Sequence, residues 1–171
     1  MFLLDANVLI YAFRRDSPFH GPCYTWLRNA LAGAEPLATT GLVELAFLRI
    51  TTLPSLGRAA AAPSDAFGFL QALRRDPMAV RIEPGPDHDG ILARLCEQLR
   101  LRGNDINDAY LAALAFEHGA TLVTADQDFE RFPDLPLVNP LAAPRSMPAR
   151  LGPPIPTGRE ARRRRQRLRS S

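Results

Sequence analysis

The sequence predicts an α/β domain of three layers, in which a central, mostly parallel sheet of four to five strands is flanked by helices. Two observations carry that reading. Short apolar runs alternate with helical-period stretches of about ten or more residues, the signature of βαβ units. The chain has 171 residues, 46% of them hydrophobic, which is enough to bury the core of one domain.

Taken in order, residues 2–5 read as a short buried strand that ends on Asp5, and Asn7 either caps the following helix or orients Asp5. Residues 19–32 read as a helix closed by Gly33, PLATT at 36–40 as a second strand, and GLVELAFLRI as a helix with Thr40 as its N-cap. Ser64 is expected to cap a helix over DAFGFLQALRR that stops before Pro77; AVRIEP is a third strand, and 87–102 is an amphipathic helix ending at Gly103. NDINDAYLAALAFEHG is a helix with Gly119 as its left-handed cap, TLVTAD is a fourth strand and PLVNP a fifth. From Leu141 the texture changes to prolines at 144, 148, 153, 154 and 156 and then REARRRRQRLRSS. This divides the chain into a folded unit over residues 1–141 and a Pro-rich linker with an Arg-rich tail over 142–171, expected to be disordered.

Composition excludes several chemistries. All 21 basic residues are arginine, so P-loop lysines, Schiff bases and Ser-Lys dyads are absent. Cys23 and Cys96 have no metal-ligand or disulfide spacing and read as core thiols. His20, His88 and His118 likewise lack ligand spacing, and Trp26, Phe67 and Phe69 read as packing residues. There is no membrane-length apolar run and no basic-then-apolar leader, so the expected location is the cytoplasm, with no membrane partner. The net charge of +3 is uneven. Seven arginines against Glu160 make residues 159–171 a +6 tail, and 14 arginines against 17 acids leave residues 1–158 at −3. An acidic body suits a cation-dependent site and a basic tail an anionic partner, with Arg162, Arg163, Arg164 and Arg165 as candidate phosphate contacts.

Ligand sites in open parallel sheets form beyond the carboxyl ends of the strands. Asp5 ends the first strand and Asp126 the fourth, Glu44 lies in the first turn of the helix after the second, and Asp108 in the first turn of the helix before the fourth. Each alone has an ordinary explanation as a turn former or a first-turn acid. Together they would crowd negative charge on one rim. Hard oxygen donors without histidine or cysteine are what Mg²⁺ or Mn²⁺ selects, and such ions promote hydrolysis of phosphodiesters.

D-A-N-V-L-I at 5–10, the glutamate of T-T-G-L-V-E-L-A at 39–46, D-A-Y-L-A-A-L-A at 108–115 and E-H-G-A-T-L-V-T-A-D-Q-D-F at 117–129 stand in the order and spacing of a PIN domain. The chain resembles the VapC-type ribonuclease toxins of type II toxin–antitoxin systems, from Phe2 to about Leu141. F-L-R-I-T-T-L and P-G-P-D-H add a likeness to an actinobacterial subgroup. The resemblance implies a PIN-like fold and a Mg²⁺- or Mn²⁺-dependent endoribonuclease that leaves a 5′-phosphate and a 3′-hydroxyl on RNA, silenced by a cognate antitoxin protein. It implies Asp5, Glu44, Asp108 and Asp126 as the catalytic and metal-binding quartet, with Thr124 and Asp128 beside the metal centre. It also implies a homodimer formed through FLRITTL and AFGFLQAL. Two features depart from the family pattern. Asp105 lies three residues before Asp108 on one helical face, so either could be the ligand; Asp108 is preferred because it precedes the apolar stripe, which leaves Asp105 to cap. The arginine tail lies outside the family pattern.

Two other readings compete. Aspartyl-phosphate chemistry also places an aspartate after a parallel strand, but calls for D-x-D-x-T or a distal lysine, and this chain has D-A-N and no lysine. The alternative that stays open is a non-catalytic RNA- or partner-binding module with a degenerate site and a basic tail.

Overall fold

The computed structural model describes residues 1–142; the expected linker and tail, Arg162–Arg165 included, lie outside the described residues. Five strands form one all-parallel sheet in the order β3-β2-β1-β4-β5. They are β1 (Phe2–Leu4), β2 (Leu37–Thr39), β3 (Ala79–Arg81), β4 (Thr121–Val123) and β5 (Leu137–Val138). The helices are α1 (Ala6–Phe13), α2 (His20–Leu31), α3 (Gly41–Thr51), α4 (Pro63–Arg74), α5 (His88–Leu99) and α6 (Asp105–Glu117), and 3₁₀ turns cover Pro54–Ala59 and Gln127–Arg131.

Parallel crossovers are right-handed, so the side on which each helix lies follows from strand order. Steps from β1 to β2 to β3 run one way and put α1–α4 on one face. The return past β1 to β4 runs the other way and puts α5 and α6 on the opposite face. The packing agrees: α1 meets α2 and α3, α3 meets α4, and α5 meets α6. The central strands β1, β2 and β4 are thereby covered on both sides, which is why they are apolar runs rather than alternating ones, while the edge strand β3 stays largely exposed. Leu3, Leu4, Leu37, Ala38, Leu122 and Val123 are all fully buried. On the first face Phe13, Phe47 and Phe69 form a mutual cluster with each pair of ring centroids 5.4 Å apart. On the second, Ala109, Ala112 and Ala113 of α6 are fully buried.

Several boundaries differ from the sequence reading, each for a local reason. Asn7 does not cap α1; Asp5 occupies the N-cap position without a side-chain cap bond, and Asn7 turns its amide onto Asp5 instead. Ser64 does not cap α4, because Pro63, with its φ preset for a first helical turn, opens the helix and Ala62 stands at the cap position. Asp105 is the first residue of α6, behind Asn104 at the cap position, and caps nothing. The helix expected over 87–102 stops at Leu99, where Arg100 adopts a left-handed φ of 54°. Gly119 holds the expected left-handed φ of 58°. Among the described residues no helix is long and apolar enough to cross a membrane.

Candidate active site

Strand order reverses between β1 and β4: β2 follows β1 on one side, and β4 is reached from the far edge on the other. Their carboxyl ends therefore open into the crevice where ligands of such sheets bind. The Asp5 amide continues the ladder, donating to Val123 at 3.0 Å, and so sets Asp5 beside the Thr124–Asp126 turn.

A tight polar knot fills that corner. Asp5 Oδ2 accepts from the Thr124 hydroxyl and from Asn7 Nδ2, each at 2.7 Å, and Asn7 Nδ2 also lies 3.0 Å from Thr124 Oγ1. Thr124 Oγ1 accepts from the Asp126 amide at 3.0 Å, Asn7 Oδ1 from the Ala125 amide at 3.2 Å, and Asp126 Oδ1 from the Asp128 amide at 2.9 Å. Asn7 and Thr124 thus fix Asp5, and Asp126 and Asp128 shape the turn beyond β4. Burial raises the Asp5 carboxyl above its ordinary value, with the nearby Asp126 charge adding to the rise and the Thr124 hydrogen bond opposing it.

Asp108 approaches from the first turn of α6. Burial pushes its carboxyl up to about 6; the Arg131 guanidinium opposes the shift, and the charges of Asp5, Asp126 and Asp105 add to it. Asp5, Asp108 and Asp126 therefore act on one another. Arg131, at the end of the 3₁₀ turn that follows Asp126, forks across α6: Nη2 reaches Asp108 Oδ2 at 2.7 Å and Nη1 reaches Asp105 Oδ1 at 3.1 Å.

Glu44 is engaged elsewhere on the rim. It is 4% exposed, Oε1 accepts from Thr39 Oγ1 at 3.1 Å and from Arg74 Nε at 3.0 Å, Oε2 pairs with Arg74 Nη2, and Arg81 Nε lies 3.9 Å away. Burial penalises its charge, yet the hydrogen bonds from Arg74 and Thr39 and the charges of Arg74 and Arg81 outweigh burial and hold the carboxyl below its ordinary value. Of the quartet, then, three aspartates form one coupled group, and the glutamate sits in an arginine clamp.

All these donors are carboxylate oxygens, the chemistry that hard divalent cations select. Burial first, and neighbouring aspartate charges second, raise the carboxyls of Asp5 and Asp108, and a divalent cation beside them would favour their ionised forms. As they stand, no three acidic, histidine or cysteine side chains among the described residues are gathered closely enough to hold a metal ion. The donors fit the cation in kind, and two arginines occupy part of them.

Sequence reasoning missed both arginines and Tyr11. Tyr11 lies four residues after Asn7, on one face of α1. Its hydroxyl is shifted upward by burial and, to a lesser degree, by the charges of Cys23, Asp126 and Asp5. The i, i+4 spacing from Asn7 was the available signal. Arg74 and Arg131 meet carboxylates 30 and 23 residues away in sequence, which no local pattern encodes.

The comparisons agree with this architecture. The PIN domain family profile matches residues 2–135. Ribonuclease VapC25 of Mycobacterium tuberculosis is 37% identical over 140 residues, spanning 82% of this chain and 99% of that protein. Ribonuclease VapC37 of the same organism is 39% identical over 132 residues, spanning 77% and 92%. Among solved structures, a chain of VapBC2 from Rickettsia felis, bound to a DNA fragment from its promoter, superimposes with a TM-score of 0.61 at 23% identity, covering 81% of this chain and 97% of that one. A chain of FitAcB from Neisseria gonorrhoeae gives 0.58 at 18% identity, covering 84% and 100%. At those identities the structural likeness is one of fold, whereas the family profile and the mycobacterial relatives cover most of the chain at higher identity. This chain belongs to the PIN-domain family and, within it, to the VapC group.

Proposed function

We propose that this chain is the toxic component of a toxin–antitoxin pair, a metal-dependent endoribonuclease that hydrolyses RNA phosphodiester bonds in the cytoplasm. The observation that carries the reading is the hydrogen-bonded knot that joins Asp5 and Asp126 through Thr124 at the switch point of the sheet, with Asp108 brought toward them from the first turn of α6. Membership of the VapC group, whose mycobacterial relatives are ribonucleases by name, supports the same activity.

Asp5, Asp108 and Asp126 would hold Mg²⁺ or Mn²⁺, with Glu44 joining only if it leaves Arg74. When bound, such an ion makes water more acidic and stabilises the charge that builds on a phosphodiester. The chain's own part is orientation. Thr124 and Asn7 keep Asp5 in one rotamer through hydrogen bonds of 2.7 Å, and the Thr124 bond to the Asp126 amide couples both strand-end aspartates to one hydroxyl. Asp108 Oδ2 is held from α6 by Arg131, and Asp128 steadies the Asp126 turn through its amide.

An antitoxin and a second copy of the chain complete the reading. Leu45 on α3 and Phe67 on α4 are 65% and 48% exposed, which supports pairing or antitoxin binding through these two helices. Residues 1–141 are the nuclease unit in this reading, and Arg162–Arg165 would contact RNA backbone. The alternative, a non-catalytic RNA- or partner-binding module, draws on the clamped state of Glu44.

The test is cleavage of RNA by the purified protein with Mg²⁺ or Mn²⁺, with chelator, and in Asp5→Asn. Cleavage that stops with chelator and in the folded variant is the expected result. Undiminished cleavage by Asp5→Asn would overturn the role of Asp5, and a wild type inert on RNA with either ion would favour the binding module.

A further inference from the structure

Arg131 stands out among the groups that hold the carboxylates of the proposed site. Its guanidinium bridges Asp105 and Asp108 at 3.1 and 2.7 Å, and Asp108 is the α6 carboxylate that acts on Asp5 and Asp126. The arginine is also built into place. The guanidinium carbon lies 5.3 Å from the centre of the Phe132 ring, and Nε is buried without a hydrogen-bond partner among the described residues. A surface arginine that only decorated a helix would leave Nε to water. Here a donor is left unmet to set the fork on two carboxylates three residues apart, which favours a fixed role over an incidental ion pair.

We propose that Arg131 is a tethered counter-cation of the carboxylate group, holding Asp108 while no divalent ion is bound and competing with that ion for it. The inference rests on the metal-dependent reading above and adds to it a residue that sets metal affinity. The charge count explains the need. Asp5, Asp105, Asp108 and Asp126 bring four carboxylates to neighbouring positions, and Arg131 sets a positive charge directly against two of them, Asp105 and Asp108. A dication next to Asp108 would feel the guanidinium across one carboxylate, at a separation where Coulomb repulsion is little screened by salt. Arg131 is thus a positioning residue, not a catalytic one.

The test measures Mn²⁺ binding to the full chain by calorimetry and by the electron paramagnetic resonance of free Mn²⁺, in wild type, Arg131→Gln and Arg131→Lys. Arg131→Gln keeps the stalk over Phe132 and a polar end without the charge. It should bind Mn²⁺ about ten-fold more tightly, whereas Arg131→Lys should stay close to wild type. Melting of the metal-free Arg131→Gln protein should come at lower temperature than wild type, and saturating Mn²⁺ should remove the difference. Equal or weaker Mn²⁺ binding by a folded Arg131→Gln would overturn the counter-cation role while leaving the nuclease reading intact. Absence of Mn²⁺ binding in wild type and both variants would overturn the two together. If Arg131→Gln fails to fold, Asp105→Asn serves: freed from Asp105, the guanidinium should hold Asp108 alone and weaken Mn²⁺ binding several-fold, and unchanged binding would refute the competition.

Discussion

Replacing Arg74 by methionine should strand the buried charge of Glu44. The stem of the arginine is kept, but the bidentate partner of a carboxylate that is 4% exposed is lost, leaving Thr39 at 3.1 Å and Arg81 at 3.9 Å. Breaking a buried ion pair from one side costs about 3–5 kcal/mol. Arg74 is itself 46% exposed, so water already weakens the pair, and Arg81 remains; about 2 kcal/mol at pH 7 is the expected loss. The pH dependence gives the sharper signature. In the wild type the Glu44 carboxyl lies below its ordinary 4.5, so its stabilising contribution is present above that value and is lost as pH falls through the folded pKa. Without Arg74, burial dominates and the carboxyl rises above its ordinary value. Its contribution is then complete below the unfolded pKa and is lost as pH rises through the folded one. The penalty of Arg74→Met should therefore be about 2 kcal/mol near pH 7 and shrink to under about 0.5 kcal/mol near pH 4, read as the difference between the urea midpoints of variant and wild type. In a Glu44→Gln background the same substitution should cost under about 0.5 kcal/mol at either pH. An equal loss at both pH values, or an undiminished loss once Glu44→Gln has removed the carboxylate, would refute the clamp.

Three further outcomes follow from the aspartate knot. Asp5→Asn should raise the melting temperature of the metal-free protein near neutral pH, because a carboxyl with a raised folded pKa destabilises the fold once ionised; differential scanning calorimetry checks the sign, and a lower melting temperature contradicts it. Divalent-ion affinity should fall as pH drops through about 6, where Asp108 takes up a proton, so Mn²⁺ titrations on either side of that value should differ by several-fold, and a flat profile would remove Asp108 from the ligand set. Thr124→Val should cost about 1–3 kcal/mol, since it leaves the Asp126 amide and the Asp5 carboxylate each short of a partner, whereas Thr124→Ser should recover most of it; equal losses in urea unfolding would show the methyl, not the hydroxyl, to be what matters.

The parts of this molecule that sequence disclosed are those encoded by short-range pattern. The apolar triplet Phe2–Leu4 running into Asp5 marked one strand end and the Gly119 turn the close of α6, whereas the strand expected to end on Asp126 stops at Val123, and Asp126 opens the 3₁₀ turn that follows. The extent of α1 was not legible, because six of its eight residues are buried and ANVLIYAF therefore carries little helical alternation to read. Ser64 misled for a different reason: a capping residue one step after Pro63 loses to the ring that presets the first turn. That Asp5, Asp108 and Asp126 lie near one another at the strand-end rim was inferable from topology, whereas the separate engagement of Glu44 with Arg74 was not. Which carboxylates are free was not, because Arg74 and Arg131 reach theirs across packed helices and turns.

The two arginines also differ in kind, and burial decides how. Glu44 is almost wholly enclosed, and its oxygens are taken by Thr39 and Arg74, so its release would leave a buried charge unpaired. That clamp is structural, and a divalent ion arriving at the rim has little with which to repay its opening. The Asp108 side chain is 30% exposed and Asp105 48%, so water can solvate either as Arg131 lets go, and the exchange of guanidinium for metal costs far less. The rim is thus fixed on the β2–β3 side and exchangeable on the β1–β4 side. The proposed metal centre on Asp5, Asp108 and Asp126 would not require Glu44 to leave Arg74, and the effect of Glu44 on cleavage would then be exerted through the stability of the fold.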